Sequence, residues 1–126
     1  MTRSPDEILG YHAHIYCHES TASVAAKLRE TLAAAVPVEI DRLIGGEVGP
    51  HPIPQVPVMF KADLFQSVVP WLMLNRQGLN ILIHPLTNDE YDDHTGNALW
   101  LGEPVKLKLD VLRHAGYPAE LLPTAT

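Results

Sequence analysis

The sequence predicts an α/β (α+β) domain of the ferredoxin-like kind, ordered βαββαβ, with both helices on one face of an antiparallel sheet. Three observations carry that expectation. Residues 11–18 alternate strictly between polar and apolar positions. Two segments, 21–36 and 62–76, carry apolar residues at helical spacing. Short apolar runs bounded by glycine and proline lie between and after them.

In the first strand His12, His14 and Tyr16 share one face, and Ala13, Ile15 and Cys17 the other. The first helix places Val24, Leu28, Leu32 and Val36 on one stripe; Ser20 or Thr21 is its expected N-cap, and Pro37 stops it. Residues 38–44 alternate in part and read as a second strand. Residues 45–54, rich in glycine and proline, form a loop that carries His51. Residues 55–61 read as a third strand, with Pro57 needing an unpaired position. The second helix presents Phe65, Val68, Val69, Leu72 and Met73 inward, with Pro70 expected to kink it and Gly78 to end it. Residues 79–84 form the fourth strand, with Ile81 and Ile83 on one side and Leu82 and His84 on the other. The remainder, 85–126, reads as a loop-rich C-terminal extension with a short strand at 105–109 and a helical turn at 110–115. Residues 1–10 read as a flexible lead-in.

The 126 residues suit one domain, and 46% hydrophobic content is enough for a core. A net charge of −6 without a basic block argues against nucleic acid or an anionic membrane surface as partner. A single cysteine, Cys17, excludes an intramolecular disulfide and a cysteine-based zinc site, and its place on the apolar face suits a buried thiol. No apolar run reaches membrane-spanning length and the first residues show no signal region, so a cytoplasmic location is expected.

Seven histidines in so short a chain are the strongest chemical signal. In the expected topology the first strand pairs with the fourth. His12, His14 and His84 then project from the uncovered face near one end, and His94 follows on a loop able to fold over them. Neutral imidazoles suit Fe, Zn, Cu or Ni; two or three with a carboxylate and open positions suit non-haem Fe(II). Asp92, Asp93 and Glu103 are the carboxylates within reach in sequence. His51 is expected at the opposite end of the sheet, reaching the open face by loop folding or entering a dimer partner's cavity; a general acid/base or substrate-anchoring role suits it. His18 and His114 read as structural or surface residues. Trp71 and Trp100 read first as packing anchors, and Trp100 also as a wall for an aromatic substrate. Arg76 is expected to satisfy helix-end carbonyls or, more sharply, to bind a substrate carboxylate.

The stretches His12-Ala13-His14-Ile15-Tyr16, Pro70-Trp71-Leu72-Met73-Leu74-Asn75-Arg76, Leu82-Ile83-His84-Pro85, Asp93-His94-Thr95 and Ala98-Leu99-Trp100-Leu101-Gly102 together resemble the DOPA 4,5-dioxygenase family. The resemblance runs from about Tyr11 past Gly102. It implies a DOPA-dioxygenase-like domain that commonly dimerises and cleaves a catechol ring in the extradiol sense; fungal members act in betalain pigment formation. By match to the family's histidine motifs, His12, His14, His84 and His94 become metal or active-site candidates, with His51 as a further one. Gln77 stands where family members often carry a second glycine, and Leu86-Thr87-Asn88 replaces the commoner Asn-Thr-Gly.

The function expected is therefore extradiol cleavage of a catechol such as L-DOPA with Fe(II) and O2. His51 or His14 would move protons, and Tyr16 and Trp100 would flank the ring. The alternative is a non-catalytic homodimeric module that binds a small aromatic or a structural metal, such as zinc, through the same face.

Overall fold

Alternation at the start of the chain produces the central strand of the sheet, β1 (Tyr11–Tyr16). In a computed structural model, which describes residues 2–124, β1 is followed by α1 (Ala22–Ala35), β2 (Gln55–Phe60), α2 (Phe65–Asn75), β3 (Ile81–Pro85), α3 (Glu90–Asp93) and β4 (Leu99–Leu101). The sheet order is β2-β1-β3-β4 and every pair is antiparallel. Both long helices cover one face, as predicted. There Ala13, Ile15, Val58, Phe60, Ile81 and Ile83 pack against Ala25, Leu28 and Leu32 of α1 and Val68, Val69 and Leu72 of α2. Each large aliphatic buried in this way contributes about 1.5–3 kcal/mol.

The first helix obeys its stripe: Leu28 and Leu32 are buried, and Val24 and Val36 pack at the margin. In α2 Val68, Val69 and Leu72 are buried and Phe65 packs at the margin, but Met73, expected inward, is exposed. Thr21 stands at the N-cap of α1, but its hydroxyl accepts from the His18 backbone N–H (2.9 Å) instead of capping the helix. Pro57 is tolerated because its backbone faces away from β1: its carbonyl accepts from Arg29 Nη1 at 3.4 Å, so the missing N–H removes no bond to β1. Pro70 lies inside α2, whose helical residues run on past it to Asn75.

Four further expectations need correction. Residues 38–44 do not form a strand; one bridge, Glu39 to Met59, marks where it would lie. Beyond it the chain bends over the open face, where Leu43 and Ile44 become cavity wall. Residues 105–109 are not a strand either. The added strand is β4, beside β3, and the helical turn tightens to a 3-10 turn at Leu109–Val111. The lead-in is tied down where it is described: Ser4 caps a 3-10 turn at Pro5–Glu7, and Leu9 and Gly10 exchange backbone hydrogen bonds with Leu86.

Gln77 is exposed and has φ 53°, the left-handed region that costs a side-chain-bearing residue about 1–2 kcal/mol. Gly78 beside it, with φ 79°, bears no such cost. Gln77→Gly is expected to raise stability by up to about 1 kcal/mol in urea unfolding, the relief being partly offset by a freer unfolded chain.

Candidate metal centre

Strand parity assembles the open face. Register sets His12 opposite His84, His14 between Pro57 and Leu82, Tyr16 opposite Gln55, and Trp100 opposite Leu82. His12, His14 and His84 are buried, and one ring nitrogen from each lies within 4.8 Å of those of the other two.

Hydrogen bonding fixes which nitrogen each ring offers. His84 Nδ1–H donates to the Pro85 carbonyl (3.0 Å), leaving Nε2 with its lone pair. His14 Nδ1–H donates to Gln55 Oε1 (2.9 Å); the Gln55 amide nitrogen in turn donates to the Ile44 and Gly46 carbonyls, which fixes the amide's orientation. His12 Nε2–H donates to the Leu121 carbonyl (2.7 Å), which leaves Nδ1 free. The Nε2 atoms of His14 and His84 therefore meet lone pair to lone pair at 3.2 Å. With no proton between them that approach is repulsive, and a cation relieves it. Two nitrogens ~2.1 Å from one ion and roughly 100° apart lie about 3.2 Å from each other. Imidazoles whose second nitrogen donates to a carbonyl or amide oxygen are the usual supported ligands of a transition metal. The donor set thus fits a first-row divalent ion.

Burial is the main cause of depressed basicity throughout. It pushes His12 down to about 4 and His51 to about 3, holds His14 and His84 well below the ordinary histidine value, and lowers His94. All five are neutral at pH 7, the form that binds metal. A stability consequence follows for the metal-free chain. Above pH 6.5 native and unfolded imidazoles are both neutral and nothing is lost. Below it the unfolded chain binds protons the native state refuses, costing about 1.4 kcal/mol per pH unit per group. His12 and His51 together are then expected to cost about 4 kcal/mol between pH 7 and pH 5. Urea midpoints of metal-free protein check this, and a change under about 0.5 kcal/mol would contradict it.

His94 stands at the C-cap of α3, its Nδ1–H donating to the Glu90 carbonyl (2.7 Å) and its ring centroid 3.9 Å from that of His84. It belongs to the cluster but not to the triad of mutually close nitrogens. His51, expected at the opposite end of the sheet with loop folding as one route to the open face, comes onto that face. The glycine-proline loop folds back over the sheet and sets its ring 4.1 Å from His14, with Nδ1 2.6 Å from the Tyr16 hydroxyl.

The three carboxylates named from the sequence are placed elsewhere, while Glu90 and Glu120 line the cavity over the histidines. Asp93 is fully buried and accepts from Thr87 N–H (2.8 Å), Thr87 Oγ1 (2.7 Å), Tyr117 Oη (2.9 Å) and Asn97 Nδ2 (3.2 Å). Asp92 lies with Asp89 and the exposed His114 on the surface, and Glu103 is exposed. Among the described residues no carboxylate joins the triad.

A cavity of about 430 Å3 opens above the histidines. His12, His14, His51, Gln55 and His94 line its polar part, and Leu43, Ile44, Val48, Val111, Leu112 and Leu121 its apolar wall. Tyr117 also borders it, its ring 6.3 Å from and nearly parallel to that of His84. None of the three substrate-contact candidates lines the cavity. Tyr16 has its ring 5.6 Å from that of His51, and Trp100 stacks on Tyr16 at 6.0 Å. Arg76 is not brought to the cavity. It closes the turn after α2 by donating to the Leu79 carbonyl (2.9 Å), and it packs so tightly on Gly102 that a Cβ there would meet its Nη1 at 2.6 Å. Sequence reasoning missed Gln55 and Tyr117. Strand parity with Tyr16 could have found Gln55; nothing local marks Tyr117.

The fold and the buried imidazole triad define a small α+β protein with a candidate metal centre on its open face. Comparison with known proteins makes this specific. A model of the Dopa 4,5-dioxygenase family matches residues 11–111. The chain is 35% identical over 112 residues to a DOPA 4,5-dioxygenase of Amanita muscaria, covering 82% of this chain and 49% of that one. It is 33% identical over 115 residues to an uncharacterized 21.2 kDa protein of Botryotinia fuckeliana, covering 82% and 63%. It therefore spans about half to three-fifths of the length of these curated relatives. The crystal structure of a putative dioxygenase from Nostoc punctiforme superposes with a TM-score of 0.83 at 43% identity, covering 87% of this chain and 96% of that one. The chain belongs to the Dopa 4,5-dioxygenase family.

Proposed function

We propose that this chain is a ring-cleaving dioxygenase of the extradiol type, acting on a small catechol with Fe(II) and O2. The observation that carries the reading is the pair of facing lone pairs on His14 and His84, completed by His12, with His12 and His14 lining a cavity. Family membership and the similarity to an Amanita muscaria protein named for this activity support it. His12, His14 and His84 would hold an Fe(II) ion, which would supply Lewis acidity toward an electron-rich ring and O2. The chain does the rest. A volume of about 430 Å3 sits at the small end of the ~300–1,000 Å3 range of small-molecule sites, which suits a single ring. Leu43, Val48, Leu112 and Leu121 hold that ring and exclude water. His94, whose free Nε2 is an acceptor, is suited to take the proton of a substrate hydroxyl.

The test is direct. Purified protein supplied with Fe(II), O2 and L-DOPA or simpler catechols is expected to consume oxygen and form a yellow semialdehyde-type product. Absence of both colour and oxygen uptake across the panel removes the proposal. The homodimer implied by the resemblance is checked separately by solution mass.

A further inference from the structure

We propose that Tyr16 is a positioning residue that fixes His51 as a neutral Nε2–H donor, so that His51 holds a substrate oxygen by donation and does not serve as the resting-state base. The inference rests on the dioxygenase reading only for what is bound; the hydrogen-bond direction stands without it. Five imidazoles gather at this site, and four are anchored through groups that can only accept: the carbonyls of Leu121, Pro85 and Glu90 and the amide oxygen of Gln55. Each of those four rings must donate outward and keep a lone pair for the site. His51 is the exception, because its Nδ1 faces a hydroxyl at 2.6 Å.

A hydroxyl can donate or accept, and burial decides which. Tyr16 is 2% exposed, and its hydroxyl has one hydrogen-bond partner among the described residues, His51 Nδ1. If His51 donated from Nδ1, the tyrosine hydrogen would be left buried without an acceptor. That penalty disfavours the arrangement on the order of tenfold or more in population. The stacked Trp100 and the register opposite Gln55 hold Tyr16 in place. Tyr16 therefore donates, His51 Nδ1 accepts, and the proton of the neutral ring sits on Nε2. His51 lines the cavity, so this N–H is what it has to offer a ligand. The site then presents an acceptor at His94 and a donor at His51, which suits a substrate that loses a proton from one oxygen and gathers negative charge on another.

The experiment is nitrogen-15 NMR of the histidine side chains in the 126-residue chain, metal-free and then zinc-loaded, with His51 assigned through His51→Gln. The expected result is a pyridine-like Nδ1 and a pyrrole-like Nε2 on His51 in both states. In Tyr16→Phe, His51 is expected to relax to a mixture of tautomers while the other histidine signals hold. A pyrrole-like Nδ1 on His51, a tautomer indifferent to Tyr16→Phe, or zinc bound at His51 Nε2 would each overturn the proposal. With active enzyme, Tyr16→Phe is expected to lower kcat on the order of tenfold to a hundredfold with KM little changed. His51→Gln, which keeps a donor near the Nε2 position, is expected to retain more activity than His51→Leu; equal loss in both also counts against it. Failure of the oxygen assay in the unaltered protein sinks the dioxygenase reading and leaves the NMR result to decide this one.

Discussion

Replacing His84 with alanine is expected to abolish stoichiometric binding of a divalent metal and, with it, oxygenase turnover. His84 is fully buried at the centre of the cluster, with its Nε2 3.2 Å from that of His14 and its ring against His94. It supplies one of only three nitrogens in the triad. If the free energy of a bound transition metal, about 10–16 kcal/mol for structural zinc, is shared among its ligands, removing one weakens binding on the order of a thousandfold or more. Metal content after dialysis and titration with Zn(II) read the loss. A graded companion separates ligand from support. Gln55 holds His14 through Nδ1 and is itself held by two carbonyls. Gln55→Leu is expected to weaken binding about 10–100-fold, as removal of a ligand's hydrogen-bond partner usually does. Equal, small effects from both variants would contradict a triad centred on His14 and His84.

The second large effect is expected at Asp93, and on stability. Its carboxylate accepts from Thr87 twice, from Tyr117 and from Asn97. Asp93→Ala strips the partners from these donors and leaves a void where a fully buried side chain stood. The expected cost is about 3–5 kcal/mol. That corresponds to a fall of about 15 °C in melting temperature for a chain of this size. Asp93→Asn keeps the shape and half the acceptor capacity, so it should cost less. The loss has a functional side as well. Tyr117 borders the cavity and is anchored by Asp93, and Leu121 four residues on accepts from His12. Freeing Tyr117 loosens the segment that orients His12. Urea unfolding measures the first effect, and metal affinity in the surviving folded protein the second. A loss below about 1 kcal/mol for Asp93→Ala would contradict the network.

How much of this was legible in the sequence follows from the range of each interaction. His12 and His14 share a face because strand parity is local, and His84 joins them because the βαββαβ order pairs the first strand with the fourth. The strand at 38–44 is missing, so that partner is β3, but the pairing itself needs only periodicity and the antiparallel return after α2. The segment 38–44 misled because alternating apolar residues suit a sheet edge and a cavity wall equally; Leu43 and Ile44 serve the wall. Tyr117 was out of reach for another reason, and for His51 the sequence offered the loop fold without choosing it over the partner's cavity. Their positions depend on a glycine-proline loop and a C-terminal segment crossing the open face. Contacts such as Arg42 with the Leu122 carbonyl and His12 with the Leu121 carbonyl pin that segment across 80 and 109 residues of sequence. No window on the sequence encodes that return. Arg76 was expected at the helix-end carbonyls; its guanidinium instead reaches past α2 to the Leu79 carbonyl, and it does not line the cavity.

One measurement bears on all of this most directly: X-ray absorption and a crystal structure of the protein loaded anaerobically with Fe(II). The expected result is one ion per chain held by His12 Nδ1, His14 Nε2 and His84 Nε2, each near 2.0–2.2 Å, with coordination positions left open toward the cavity. A protein that takes up no iron, or holds it through other residues while the His14 and His84 nitrogens stay at their present spacing, would contradict the metal centre and the chemistry built upon it.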